Sequence, residues 1–309
     1  MPINHNQEKS NEEHKEKKSR ISFNLTAPKY SFSDIILPPK TIEEIDLFIA
    51  LVKNDSLIFD SWGLGSVIKC HNLGVNLYGA SGTGKTMAAH AIAVALNRPL
   101  LIVDYAEIES KYVGETSKNL VSLFDFAKDM DAVILFDEAD AMLSKRVTLM
   151  NNATDVSVNQ TRNVLLKLLD DYTGVIIYTT NFLKNFDIAF LRRIYTHIRF
   201  DLPAVEQRIN LWEHYLTPAL PIDNRKETIN LISEIDDISG SDIATAVLRC
   251  AVIAAERKGS ITADDISEAI NRIKMARQDA EGNWNITSRK VSEEYALEKI
   301  GGLQNVKNS

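Results

Sequence analysis

Glycine, lysine and threonine stand together in one stretch of this sequence at a spacing that suits phosphate binding. The stretch, from Val75 to Thr86, reads VNLYGASGTGKT, and a helical pattern from Met87 to Leu96 follows it. Glycines let backbone N–H groups curl around phosphate oxygens, and the start of a helix adds a partial positive charge. The lysine can bridge the β- and γ-phosphates of a nucleotide, and the next hydroxyl can hold Mg²⁺. The residues predicted to bind nucleotide in this P-loop are Gly79, Ala80, Ser81, Gly82, Thr83, Gly84, Lys85 and Thr86.

Two acidic residues, Asp137 and Glu138, follow a second apolar run, VILF, further along the chain. Ligands of open α/β sheets bind past the carboxyl ends of the strands, which is where this pair falls. We expect Asp137 to complete the Mg²⁺ site and Glu138 to polarise a water for attack on the γ-phosphate. An acidic pair alone is often only solvated, but after a P-loop it favours hydrolysis over mere binding.

Apolar strand patterns alternate with helical ones through the first two thirds of the chain, which predicts a mostly parallel sheet with helices on both faces. The five predicted strands are Val75–Tyr78, Leu100–Asp104, Ala132–Phe136, Gly174–Thr180 and Ile198–Leu202. After Pro203 only helical spacing remains, and Ser241 and Thr262 are predicted N-caps. The predicted fold class is therefore α/β, with a five-stranded sheet and a small C-terminal helical domain.

The composition changes along the chain and suggests four parts. Residues 1–29 are polar and predict a disordered tail, and no folded domain is expected before the α/β domain at 30–203. A helical domain is predicted at 204–276 and an extension at 277–309. A net charge of -7 argues against a nucleic-acid partner. No membrane-length apolar run, signal peptide or cysteine motif is present, so we expect a cytoplasmic protein without a zinc site.

Two further segments could line the nucleotide site. Asn181 ends the predicted fourth strand, where its amide can orient the attacking water; the alternative is a helix or turn cap. The Trp62–Gly65 segment precedes the P-loop closely in sequence. It is either a packed loop or a contact on the adenine side.

Four motifs in order resemble those of one family. GASGTGKT, VILFDEAD, YTTN and FDIAFLRRI look like the Walker A, Walker B, sensor 1 and second region of homology of AAA ATPases. The resemblance covers roughly Phe32 to Met275. It implies the P-loop NTPase fold with a helical lid, hydrolysis of ATP with Mg²⁺, and homo-oligomeric rings, usually hexamers, with ATP between subunits. Asn181 would then be sensor 1.

The same resemblance implies roles for other residues. Arg192 and Arg193 are similar to the paired arginine fingers of spastin and katanin, although a surface pair closing a helix is the alternative. Gly240 and Ser241 resemble the start of the sensor 2 segment, without its arginine. The loop residues in the position of a pore loop that grips polypeptide are Lys111, Tyr112 and Val113.

These features predict a ring ATPase that remodels, unfolds or translocates a protein client through a central pore. One alternative is a nucleotide-gated assembly or adaptor subunit that activates a partner protein without threading. A DNA-acting AAA protein is a weaker alternative. The sequence DEADAMLSKR is similar to the corresponding segment of stand-alone bacterial AAA proteins. Such proteins are encoded beside a protease, a defence module or an injection system. We therefore expect a partner protein to take part in substrate choice.

Overall fold

The computed structural model describes residues 23–68, 73–103, 116–143, 153–183 and 186–280. The chain divides into two compact units, with the division between Asp201 and Leu202. The first unit contains the sheet, and the second is helical. Among the described residues, no helix is long and apolar enough to span a membrane.

A six-stranded sheet forms the centre of the first unit. Its strands are β1 (Leu25–Thr26), β2 (Leu73–Gly79), β3 (Leu100–Val103), β4 (Val133–Phe136), β5 (Val175–Thr180) and β6 (Thr196–Phe200). Their order is β1-β3-β4-β5-β2-β6, and every neighbouring pair is parallel except β1 with β3. The carboxyl ends of β2, β4 and β5 therefore meet at one edge of the sheet, where such folds bind ligands.

Side chains alternate between two hydrophobic cores, one on each face of the sheet. Val133 and Leu135 of β4 point into one core, and Ile134 and Phe136 point into the other. Because both faces are covered, these strands appear in the sequence as continuous apolar runs rather than as an alternating pattern.

Within the described residues, the first unit also contains six α-helices. They are α1 (Pro39–Lys53), α2 (Lys85–Leu96), α3 (Thr116–Asp129), α4 (Asp140–Leu143), α5 (Ala153–Asp171) and α6 (Ile188–Leu191). Phe48 of α1 and Ile92 of α2 belong to the core on one face, whereas Phe124 of α3 and Leu165 of α5 belong to the other. The α/β class with a mostly parallel sheet is thus confirmed.

The sheet has one strand more than predicted. Leu25 and Thr26 pair antiparallel with Leu101 and Leu100 at the edge of the sheet, and Phe23 contacts Phe126 with ring centroids 5.5 Å apart. The prediction of a disordered tail through residue 29 was therefore wrong for its last residues. A two-residue strand is too short to show the alternation by which strands are predicted.

The part of the second unit that the structure describes contains four helices, which match the helical spacing predicted there. They are α7 (Val205–Tyr215), α8 (Arg225–Ser233), α9 (Gly240–Arg257) and α10 (Ala263–Ala280). Trp212 is fully buried in this unit together with Ile232 and Ile243. The N-cap of α9 is Ser239 rather than the predicted Ser241, because Ser239 and Asp242 form a reciprocal capping box.

Candidate active site

The P-loop follows β2 through glycines that the backbone requires. Gly79 has a φ of +143°, and a Cβ there would lie 2.0 Å from the carbonyl oxygen of Phe200. Gly84, just before α2, has a φ of +94°, which L side chains rarely adopt. A Cβ on Gly84 would lie 3.7 Å from Cγ2 of Ile35, so Ile35 lies beside the end of the P-loop, which the sequence did not suggest. Gly79 is therefore required by the close approach of β6, and Gly84 by its own backbone conformation.

Lys85 is buried at the start of α2, with 8% of its surface exposed. Its ammonium group donates hydrogen bonds to the carbonyl oxygens of Gly79 (3.0 Å) and Ala80 (2.7 Å) and to Oδ1 of Asn181 (2.9 Å). Burial lowers the pKa of Lys85, and the nearby Asp140 carboxylate opposes that change. The partners of this cation are neutral oxygens, so its charge is not cancelled by a bonded carboxylate.

Asp137 follows β4 and receives hydrogen bonds from two hydroxyl groups. Thr86 Oγ1 donates to Asp137 Oδ1 at 2.9 Å, and Thr179 Oγ1 donates a short hydrogen bond to the same oxygen. Mg²⁺ prefers oxygen ligands, and a hydroxyl and a carboxylate oxygen are already side by side here. The donor set therefore fits Mg²⁺, which Thr86 and Asp137 would hold.

Glu138 adopts a left-handed backbone conformation, with a φ of +52°. This conformation is uncommon for a residue other than glycine and is often found at functional sites. The Glu138 N–H donates to Thr179 Oγ1 at 3.0 Å, so Thr179 contacts both acids of the pair. The Glu138 side chain is exposed and lines the same cavity as Lys85.

Asp140 is a site residue that the sequence did not single out. Its carboxylate accepts hydrogen bonds from the Thr180 hydroxyl and from the backbone N–H groups of Asn181 (3.3 Å) and Phe182 (3.2 Å). It thereby holds the segment after β5 against the segment after β4. Its place in the DEAD motif was visible, but its partners depend on the pairing of β4 with β5.

These residues surround one cavity of about 260 Å³ at the carboxyl edge of the sheet. Its lining comprises Ser81, Gly82, Gly84, Lys85, Thr86, Met87, Asp137, Glu138, Thr179, Thr180 and Asn181. The fold thus brings together the P-loop, the acidic pair and the polar end of β5. Such an arrangement can bind phosphate through Lys85 and offer a carboxylate for proton transfer.

The Trp62–Gly65 segment lies elsewhere in the first unit. Gly63 and Gly65 line a separate cavity of about 690 Å³ together with Leu73 and Thr173. Leu73 begins β2, whereas the P-loop follows its other end, about 20 Å away for a strand of this length. The position favours the packed-loop interpretation over an adenine contact.

Comparison with known proteins identifies the family of this domain. The model of the ATPase family associated with various cellular activities (AAA) matches residues 75–202. A proteasome-activating nucleotidase of Saccharolobus solfataricus is 30% identical over 266 residues, which cover 83% of this chain and 66% of the relative. The chain belongs to the AAA family of ATPases.

Other matches agree with this AAA assignment. The ATP-dependent zinc metalloprotease FtsH of Malacoplasma penetrans is 34% identical over 215 residues, covering 65% of this chain and 25% of FtsH. The crystal structure of the FIGL-1 AAA domain matches with a TM-score of 0.64 and 22% identity, covering 86% of this chain and 91% of that one. The latter likeness shows the fold. This AAA chain spans between 25% and 66% of the length of these two curated relatives.

The two arginines of the AAA second region of homology have different environments. Arg193 forms a bidentate pair with Asp170 (2.7 and 2.9 Å) and donates to the carbonyl oxygen of Ala189 (2.8 Å). The hydrogen bond to Asp170 raises the pKa of Arg193. Arg192 is exposed, and its side chain has no hydrogen bond or ion pair within the described parts of this AAA domain.

The other predicted AAA site residues belong to the second unit or fall outside the described residues. Gly240 and Ser241 form the first turn of α9 in the second unit. The predicted pore loop, Lys111, Tyr112 and Val113, lies outside the described residues. These roles stay predictions from the AAA resemblance.

Proposed function

We propose that this AAA ATPase hydrolyses Mg²⁺-bound ATP as a homo-oligomeric ring, expected to be a hexamer, and uses the energy to remodel, unfold or translocate a protein client. One observation carries the part of the proposal that concerns ATP hydrolysis. Lys85, Asp137 and Glu138 line a single cavity, and within the described residues no ion pair joins the lysine to either acid. Their charges therefore remain available to a phosphate group and a cation.

The proposed reaction is the attack of a water on the γ-phosphorus. Glu138 accepts a proton from that water. The oxygen of the water bonds to phosphorus, and the bond from phosphorus to the ADP oxygen breaks. Lys85 binds the β- and γ-phosphate oxygens, and Asn181, next to Lys85, orients the water or the γ-phosphate. When bound by Thr86 and Asp137, Mg²⁺ neutralises charge on the phosphate oxygens.

Between the two candidate arginine fingers, the contacts favour Arg192. A finger must present a guanidinium group to the phosphate of a neighbouring subunit, and Arg192 is exposed for that purpose. Arg193 is bonded to Asp170 and to the Ala189 carbonyl oxygen of α6, the helix that ends just before Arg192. We propose that Arg192 reaches the neighbour's γ-phosphate and that Arg193 holds α6 in position.

Mixing two inactive variants tests the arrangement between subunits. Glu138→Gln inactivates the ATPase site but keeps the arginine finger. Arg192→Ala keeps the ATPase site but removes the arginine finger. In randomly mixed rings, about a quarter of the interfaces would combine an intact site with an intact finger. ATPase activity should therefore return on mixing, and no recovery would contradict a finger acting between subunits.

A second pair of variants tests the role of Arg193. If this residue acts by holding α6, Arg193→Ala and Asp170→Asn should lower activity to a similar extent, because each removes the same ion pair. A large loss in Arg193→Ala with near-normal activity in Asp170→Asn would instead make Arg193 a finger.

The protein client is proposed from the relatives. One is named for activating a proteasome and another is an ATP-dependent protease, so both couple a nucleotide site to work on proteins. Tyr112→Ala tests threading: a threading ring should lose client unfolding and keep basal ATP hydrolysis. Unchanged client activity in that variant would favour the adaptor alternative. The cytoplasmic location stays a prediction from sequence.

A further inference from the structure

A short segment before α1 lies along the P-loop helix. We define it as the strap, residues 29–35. At its start the N–H of Lys29 donates a hydrogen bond to Nδ1 of His90 at 3.1 Å. The ring of Tyr30 meets the ring of His90 edge-on, with centroids 5.6 Å apart and an angle of 84°. His90 itself is buried, with 5% of its surface exposed.

The strap reaches the P-loop at its other end. Cγ2 of Ile35 is the nearest atom to the position that a Cβ on Gly84 would occupy, at 3.7 Å. Gly84 precedes His90 by six residues, which is about 9 Å along a helix. The strap therefore follows the first turns of α2, from His90 back to the last glycine of the nucleotide loop.

The middle of the strap is held by its own contacts. Ser31 N–H donates to Asp34 Oδ2 at 2.7 Å, and Asp34 N–H donates to the Ser31 carbonyl oxygen at 3.0 Å. Phe32 and Ile35 also pack against the core that contains α2. The strap thus contains an ordered turn, and His90 accepts its hydrogen bond on the helix.

We propose that His90 is a positioning residue that docks the strap on the P-loop helix and thereby sets nucleotide affinity. A docked strap restrains the outer side of Gly84, so the P-loop loses less conformational freedom when phosphate binds. The acceptor at Nδ1 requires the tautomer with its proton on Nε2. Burial lowers the pKa of His90, which favours this neutral form. The proposal rests on the nucleotide-binding function proposed above.

Two substitutions of His90 with nearly the same shape distinguish the effect of the hydrogen-bond acceptor from the effect of losing the ring. His90→Asn can place Oδ1 near the position of Nδ1, whereas His90→Leu has a similar shape and no acceptor. Both lose ring contacts with Tyr30. The difference between the two variants therefore reports the hydrogen bond to Lys29.

The first measurement is cleavage by trypsin after Lys29 in the full chain without nucleotide, followed by mass spectrometry. The second is the dissociation constant for a fluorescent ATP analogue in the presence of Mg²⁺. A hydrogen bond of ordinary net strength corresponds to about a fivefold change. We expect His90→Leu to speed cleavage and to raise the dissociation constant by about this factor relative to His90→Asn.

Each other outcome counts against the proposal. Equal behaviour of the Asn and Leu variants would show that the acceptor does not anchor the strap. Faster cleavage with unchanged affinity would show that docking does not set nucleotide binding. Should both variants fail to fold, Tyr30→Ala leaves the inside of α2 intact and should raise both quantities. No rise in that variant would equally overturn the proposal.

A lysine variant distinguishes this failure from failure of the proposed function. Lys85→Ala should abolish binding of the analogue whatever the strap does, because it removes the phosphate-binding cation. If Lys85→Ala binds as the parent protein does, the nucleotide assignment itself is wrong. The cleavage result without nucleotide would still test whether His90 anchors the strap.

Discussion

In the first unit, Lys85 and Asp137 line one cavity without bonding to each other, whereas in the second unit Arg257 and Asp265 are bonded directly. Lys85 donates hydrogen bonds to carbonyl and amide oxygens, and Asp137 accepts hydrogen bonds from hydroxyl groups. Arg257 instead donates to Asp265 from two nitrogens, with Nη1 to Oδ1 at 2.9 Å. Both places contain an acid and a base close together, but only the Arg257–Asp265 pair neutralises its charges through a direct bond.

The carboxylate of the Arg257–Asp265 pair also accepts other hydrogen bonds. Asp265 accepts from the Thr262 backbone N–H at 2.8 Å and from its hydroxyl at 2.9 Å, and Thr262 caps α10 in return. These partners, Arg257 first, lower the pKa of Asp265 to about 2. Charges that are paired with each other have little capacity left for a ligand, whereas charges held by neutral groups keep that capacity.

The largest effect should come from Glu138→Gln, which removes the carboxylate but keeps the shape. We expect kcat for ATP hydrolysis to fall by about 10²–10⁴, with nucleotide binding retained. Steady-state hydrolysis and equilibrium binding measure the two parts. Appreciable turnover in this variant would remove Glu138 from its proposed role as the base.

A smaller loss should follow Thr179→Val, which removes the hydroxyl between Asp137 and the Glu138 backbone. Replacing a group that orients a metal ligand typically lowers metal affinity or activity by about 10–100-fold. We expect the ATPase activity of Thr179→Val to fall by this amount. Thr196→Val on β6 is a matched control outside the cavity lining. Equal activities of the two variants would show that this hydroxyl is not part of the site.

Asp265→Asn should affect stability rather than chemistry. Losing the Arg257 pair and half of the capping box should cost about 1 kcal/mol of unfolding free energy, measured with urea. The folded-state pKa of Asp265 lies below its ordinary value of 3.8, so its stabilisation is present above pH 4 and is lost as pH falls toward 2. The variant should lack that part of the acid dependence; an unchanged acid profile would contradict the pairing.

The smallest effect should come from Arg272→Gln on α10. Arg272 pairs with Glu268 one turn earlier, and both side chains are more than half exposed. Exposed pairs of this kind contribute about 0.3–0.5 kcal/mol in helices. If Arg272→Gln lowered the unfolding free energy as much as Asp265→Asn, the exposed Arg272–Glu268 pair would not differ from the Arg257–Asp265 pair as we infer.

The sequence alone predicted the features that depend on neighbours along the chain. The apolar runs of β2, β4 and β5 predicted buried strands, and the P-loop offsets placed Lys85 at the start of a helix. Thr262 was also correctly predicted as a cap. Each of these follows from backbone geometry over a few residues, which local composition determines.

Only the tertiary structure decided the contacts made across elements. Arg192 and Arg193 are adjacent and chemically identical, yet Asp170, 23 residues away, binds one of them and leaves the other exposed. Thr179 contacts the acidic pair because β5 is the neighbour of β4, and His90 meets Lys29 across 61 residues. The packing of strands and helices determines such pairs, since it brings distant residues together without leaving a pattern in the sequence.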